Sequence, residues 1–248
     1  MSLAIVMPAY NESGCIESVV KSWLTVFDTV PGVLIVVNDG SKDDTGKILD
    51  AVAQNEPRLK VIHQKNAGHG AAVMRGYQEA LLTGEPYVFQ TDSDDQFLPV
   101  DFPKLWELRD RSPFITGYRK VRHDAFARLV ITRIVKVLNF LFFGCWLRDS
   151  NIPFRLIRAE YLRELLPLIP PGIFTPNIML SVLAAKAGAN LQEIPISHVE
   201  RKTGTVSIVK WRLIKVCFRS AYELLRFRLS LLGRGTQLKG LRTRYAVS

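Results

Sequence analysis

Within its first 117 residues the chain alternates short apolar runs of strand length with segments of helical pattern. Residues 3–7, 33–37, 59–63 and 87–91 are the apolar runs, and helical patterns over 13–29, 43–54 and 71–82 separate them. This alternation dictates βα units and a mostly parallel sheet, because a parallel strand can be reached only by a crossover. Residues 33–37 are almost purely β-branched, as expected of a strand buried on both faces. Pro8 is expected to end the first strand, and Ser13 to cap the first helix with Glu17 in its opening turn. Asn38-Asp39-Gly40-Ser41 is a turn cluster, Asp43 and Asp44 open the second helix, and residues 66–70 form a glycine-containing turn before the third.

The rest of the composition narrows the class. With 248 residues, 48% of them hydrophobic and 23% charged, the chain can build one α/β core or two small ones, and is neither disordered nor collagen-like. Cys15, Cys145 and Cys217 are far apart and form no CxxC pair, so a zinc knuckle or a disulfide framework is not expected, and a reducing compartment fits. No uncharged apolar run reaches the roughly 18 residues of a membrane span. Residues 3–7, with no charged segment before them, are too short for a signal peptide.

Charge divides the chain. Residues 1–117 hold 10 Lys and Arg against 16 Asp and Glu, a net of −6; residues 118–248 hold 23 against 7, a net of +16. The basic half calls for an anionic ligand or surface. Nucleic acid is not the expected partner, since the aromatics lie in apolar helical stripes and no recognition motif is present. Residues 125–147 are apolar but interrupted by Arg128, Arg133 and Lys136, and residues 191–196 return as a strand. Residues 208–232 form a basic amphipathic helix, with Arg212, Lys215, Arg219 and Arg226 recurring at steps of three, four and seven. Such a tail either attaches to anionic lipid or packs its apolar side on the domain and leaves its charges in water.

Three polar clusters fall at strand ends, where open α/β sheets bind ligands. Asp92-Ser93-Asp94-Asp95-Gln96 suits a hard divalent cation that keeps waters and touches substrate phosphates; the alternative is a solvated acidic turn. Asp39 could accept bonds from a base or ribose, or simply serve its turn. In Pro8-Ala9-Tyr10-Asn11-Glu12, Tyr10 could pack on a base and Glu12 bond a hydroxyl. His69 and His198 are expected to be structural, with no second ligand at metal spacing.

Together PAYNE at 8–12, NDGSKDDT at 38–45, KNAGHGAA at 65–72 and DSDDQ at 92–96 resemble the nucleotide-sugar glycosyltransferases of family 2, which have the GT-A fold. Gly117-Tyr118-Arg119, the stretch from Asp149 to Arg155, and His198-Val199-Glu200-Arg201 before Gly204 narrow this to the dolichyl and polyprenyl-phosphate sugar transferases. The resemblance implies an α/β GT-A catalytic domain over 1–207 (nucleotide-sugar half 1–117, acceptor half 118–207) followed by an amphipathic tail, 208–248. Pro8, Tyr10, Glu12, Val37 and Asp39 would hold base and ribose. Asp92, Ser93 and Asp94, with Gln96, would handle the diphosphate and its Mg²⁺ or Mn²⁺, and Arg119 and Arg201 would reach phosphates across the cleft. Asp94 and Arg119 would be the catalytic pair.

Three departures qualify the resemblance: Asn38 stands where many relatives carry Asp, Val206-Ser207 replace a Ser-Lys found in some, and Asn177 lies near the place of a catalytic acid in hydroxyl-glycosylating relatives. Asn177 cannot act as a base. A sugar hydroxyl needs one, whereas a phosphate monoester, with a second pKa of about 6, is already anionic. The expected acceptor is therefore a polyprenyl phosphate, met by Arg119, Arg128 and Arg133, and the expected enzyme is an inverting, metal-dependent transferase at the cytoplasmic face of a membrane, with a membrane subunit or oligomer as further partners. A family 2 enzyme acting on a carbohydrate or lipid hydroxyl is one rival, and an inactive membrane-surface module is another.

Overall fold

The computed structural model describes the backbone of residues 1–119, 126–199 and 210–245, and their side chains outside 126–132 and 210–218. The front half runs β1 (Leu3–Ala9), α1 (Ile16–Leu24), β2 (Gly32–Asn38), α2 (Thr45–Ala53), β3 (Leu59–His63), α3 (His69–Leu82), β4 (Tyr87–Gln90), α4 (Phe102–Trp106) and β5 (Phe114–Arg119). The back half adds α5 (Phe126–Phe143), β6 (Arg155–Arg158), α6 (Ala159–Leu165), α7 (Pro176–Lys186), β7 (Gln192–Ile196), α8 (Lys210–Leu231) and α9 (Gly235–Tyr245).

The strands form one sheet in the order β3-β2-β1-β4-β6-β5-β7, parallel except that β6 runs antiparallel to both its neighbours. The expected mostly parallel sheet flanked by helices is what the chain builds. Its order turns outward on both sides of β1, so the crevice beyond β1, β2 and β4 is the topological switch point.

Period-two alternation sorts the two cores. Leu3, Ile5, Met7, Leu34 and Val36 face α1, α2 and α4 in one cluster, while Ala4, Val6, Ile35, Val37 and Val88 join α3 and the later helices in the other. Gly76 lets α3 lie flat on the sheet, because a Cβ there would stand 2.2 Å from a Val6 methyl. Leu224, Phe227 and Leu231 of α8 and Leu241 of α9 are buried in the second cluster, so these helices share the domain's core. The boundary expected at residue 207 lies outside the described residues.

Several local expectations need correction. Pro8 does not end β1, which continues to Ala9 with Pro8 in register with Val37. It is tolerated because the backbone groups of Val6 and Pro8 are directed to the β4 side, and β4 ends at Gln90 beside Val6, so no ladder bond needs a Pro8 N–H. Ser13 does not cap α1, which begins at Ile16 with no side-chain cap; the Ser13 amide instead donates to Asp43 Oδ2 at 3.1 Å. The helical pattern over 13–29 is split, ending as a 3₁₀ turn from Thr25 to Asp28. Neither β5 nor β6 stands among the expected strands, and α9 lies within the stretch 208–248 where C-terminal amphipathic helices are expected.

Candidate active site

The ends of β1, β2 and β4 and the start of α3 enclose a cavity of about 410 Å³, lined by Pro8, Ala9, Tyr10, Glu12, Asp39, Asn66, Gly68, His69, Ala72, Asp92, Ser93 and Asp94. Its floor is held by bonds between loops distant in sequence. Asn11, at a positive φ of 54°, accepts the Lys42 amide at 2.7 Å, and its own amide reaches Ser41 Oγ at 3.0 Å. The Glu12 amide donates to Thr45 Oγ1 at 2.8 Å, and Asp43 accepts from Thr45 and Ser13. Burial pulls the Asp43 pKa up, but the Thr45 and Ser13 bonds overcome it and hold it near about 2.

Asp39 has a structural task that neither sequence reading contained. Its carboxylate accepts from Gln64 Nε2 (2.7 Å), the Ala67 amide (2.9 Å) and the Gly68 amide (2.8 Å), which pins the loop before α3 to the end of β2. Asn38 is equally engaged, bonding Ser41 through Oδ1 and His63 Nδ1 through its amide at 2.9 Å. Tyr10 stands 42% exposed at the cavity, open to a planar ligand.

Asp92 and Asp94 face the cavity together. Asp92 Oδ1 is buried without a hydrogen-bond partner, and His69 Nε2 stands 3.9 Å from it. Burial pushes the Asp92 pKa up to about 6; the Asp94 carboxylate adds to the rise, and His69, Arg119 and Arg155 oppose it. An orphaned carboxylate oxygen beside a second carboxylate fits a divalent cation, which would supply the missing solvation. Among the described residues no cluster of three His, Cys, Asp or Glu could hold a metal unaided.

Not every expected residue reaches this cavity. Val37 is fully buried in the core against α3. Gln96 spends its side-chain amide on the Val199 carbonyl (3.3 Å) and its own carbonyl on the Val199 amide, so it ties the acidic loop to the segment after β7. Arg119, at the end of β5, is gripped by Asp149 through Nε (2.8 Å) and Nη2 (3.2 Å). Arg133 is exposed on α5. The Arg128 side chain and Arg201 lie outside the described residues.

Three features were not expected. His69, read as structural, stands 48% exposed on the cavity wall; Asn66 and Gly68 line it too, from the KNAGHGAA stretch, whose residues carry no expected ligand role. Arg155, fully buried at the start of β6, donates to the carbonyls of Ile152, Asn177 and Ser150 and to Ser181 Oγ, fixing the turn that presents Asp149. Burial lowers its pKa from the usual guanidinium range, and it still contributes positive potential at Asp92 and Asp149.

Known proteins answer this geometry. The family model for glycosyl transferase family 2 matches residues 4–166. The undecaprenyl-phosphate mannosyltransferase of Micrococcus luteus is 27% identical over 93% of this chain and its own full length. The polyprenol monophosphomannose synthase of Mycolicibacterium smegmatis is 27% identical over 91% of this chain and 88% of its own. The glucosyl-3-phosphoglycerate synthase of Mycobacterium tuberculosis, crystallised with Mn²⁺, UDP and glucosyl-3-phosphoglycerate, superposes with a TM-score of 0.67 at 21% identity, over 92% of this chain and 79% of that one. The fold is therefore GT-A, and the resemblance to polyprenyl-phosphate sugar transferases is met in the relatives. Family, fold and strand-end cavity agree, and this chain is a glycosyltransferase belonging to family 2.

Proposed function

We propose that the enzyme transfers a hexose or aminohexose from a nucleoside-diphosphate sugar to a polyprenyl phosphate at a membrane surface, with inversion and with Mg²⁺ or Mn²⁺. The observation that carries the reading is the buried, unpartnered Asp92 Oδ1 beside Asp94, in the cavity at the switch point. Tyr10 would stack on the base and Glu12 would bond a donor hydroxyl. Asp39 would act through the loop it pins, presenting the Gly68 end of α3 to the donor. A divalent ion held by Asp92 and Asp94 would supply Lewis-acid stabilisation of the departing diphosphate.

The acceptor assignment rests on charge and on what a phosphate does not need. Arg119, oriented by Asp149, would face the lipid phosphate with its guanidinium charge. A phosphate oxygen attacks the anomeric carbon, the bond to the diphosphate oxygen breaks, and the nucleoside diphosphate leaves with the electron pair. No proton needs removal, which agrees with Asn177, an amide 3% exposed, near the place of the base in hydroxyl-glycosylating relatives. In this reading residues 1–117 hold the donor and 118–207 the acceptor.

Membrane attachment is supported by exposed apolar side chains on two helices that pack together. Phe140 and Leu141 on α5 with Trp146 just beyond it, and Leu225 and Leu229 on α8 with Leu232 just beyond it, are 44–67% exposed. No helix among the described residues is long and apolar enough to cross a membrane. Basic residues near anionic lipid contribute about 1 kcal/mol each, so the back half could hold the enzyme peripherally at the cytoplasmic leaflet. Incubation with a panel of nucleotide sugars, Mn²⁺ and a polyprenyl phosphate, with the lipid product identified by mass, tests the assignment. A glycosylated lipid phosphate is the expected product; donor hydrolysis with no lipid product from any donor would refute it.

A further inference from the structure

Glu223 is an acid on a helix whose charges are otherwise mostly basic, and it is 5% exposed. Its carboxylate accepts the Phe174 amide with both oxygens (3.1 Å each) and lies 3.5 Å from Thr175 Oγ1. Arg219, one turn earlier, approaches it at 3.3 Å and lays its guanidinium over the Phe174 ring at 4.7 Å. A charge is costly to bury unless it is paired and hydrogen-bonded in this way, and plain packing of α8 would not need one. The carboxylate also faces the first turn of α7, where its charge complements the helix dipole.

The held segment leads to the cavity. The carbonyls of Ile173 and Phe174 press on the first turn of α3 so closely that a Cβ at Gly70 would stand 2.3 and 2.8 Å from them. Gly70 follows His69, and Gly68, His69 and Ala72 all line the cavity. The path from α8 to the cavity therefore takes two contacts, both to the 173–175 segment.

We propose that Glu223 is a positioning residue for the active site: from α8 its carboxylate fixes residues 173–175, and these brace the turn of α3 that presents His69 to the cavity. The C-terminal helix thus does more than fill the core or meet lipid. Its opposite side carries Tyr222, Leu225 and Leu229, 44–60% exposed, so whatever that side docks on is linked to the cavity through one residue.

Hydrogen exchange on the full-length protein, followed by mass spectrometry, tests this without a substrate. Glu223→Ala should speed exchange roughly tenfold or more at 173–177 and also at 68–72, and leave 3–38 unchanged. Glu223→Gln, which keeps an acceptor for the Phe174 amide, should restore most of the protection. Faster exchange confined to α8 and α5 would overturn the proposal. If the alanine variant does not fold, Arg219→Ala gives the same reading: exchange at Phe174 rises several-fold, or the proposal fails. On the glycosyltransferase reading above, Glu223→Ala should raise KM for the donor sugar several-fold and leave KM for the lipid phosphate unchanged, with Glu223→Gln close to the wild type. That arm depends on the proposed function; the exchange arm does not, so the two can fail separately.

Discussion

The Arg119 guanidinium and the Asp149 carboxylate form a two-point fork, with Nε to Oδ2 at 2.8 Å and Nη2 to Oδ1 at 3.2 Å, and only 3% of the Asp149 side chain is exposed. Thirty residues of sequence separate them, and the pair fixes the orientation of the guanidinium plane. Asp149→Asn should therefore reduce kcat/KM for the lipid phosphate by about 10- to 100-fold, the scale of one or two charge-assisted bonds. Donor binding, measured calorimetrically, should change little. Arg119→Lys should not rescue acceptor use, because a lysine cannot reproduce the fork.

Asp92 gives a pH signature. Its pKa is raised from 3.8 to about 6, mainly by burial, so the folded protein binds a proton that the unfolded chain has released. The stability gained from this group is fully present below pH 3.8 and is lost as the pH rises through about 6. Without metal, the melting temperature of the wild type relative to Asp92→Asn should fall between pH 4 and pH 7. Added Mn²⁺ should stabilise the wild type more at pH 7 than at pH 5, since the ion needs the ionised carboxylate. Asp94→Ala should abolish both transfer and metal-dependent donor binding.

Inner and outer residues of α8 should separate stability from attachment. Phe227 is fully buried against Phe143, with ring centroids 5.6 Å apart. Phe227→Ala should cost about 3–5 kcal/mol in chemical denaturation. Leu229→Ser and Trp146→Ser, at sites 57% and 67% exposed, should change stability by no more than about 0.5 kcal/mol. They should lower co-sedimentation with anionic vesicles, and high salt should weaken what remains. Equal pelleting of wild type and both variants would place the attachment elsewhere.

The front of the fold is legible because β1 to β4 are apolar runs bounded by turn residues, and β3 falls on residues 59–63 as expected. β6 is hidden because it is four residues long with an arginine at each end. α7 is buried on all sides, so its sequence has no polar face from which a helical period could be read. In the site, Tyr10, Glu12, Asp92 and Asp94 are legible because a strand end is where side chains meet a ligand. Val37 is displaced from that set by the alternation itself, which turns it with Ile35 toward α3. The bonds of Asp149 to Arg119 and of Glu223 to Phe174 join segments 30 and 49 residues apart, and no spacing rule connects them.

A phosphate nucleophile held by arginine needs no general base, whereas a hydroxyl acceptor does. The most direct measurement gives the enzyme, Mn²⁺ and its preferred nucleotide sugar equal amounts of a polyprenyl phosphate and the matching free polyprenol, and weighs the lipid products. A glycosylated lipid phosphate alone is expected, and Arg119→Ala should lose it. Glycosylated polyprenol, formed at a comparable rate, would contradict the phosphate nucleophile.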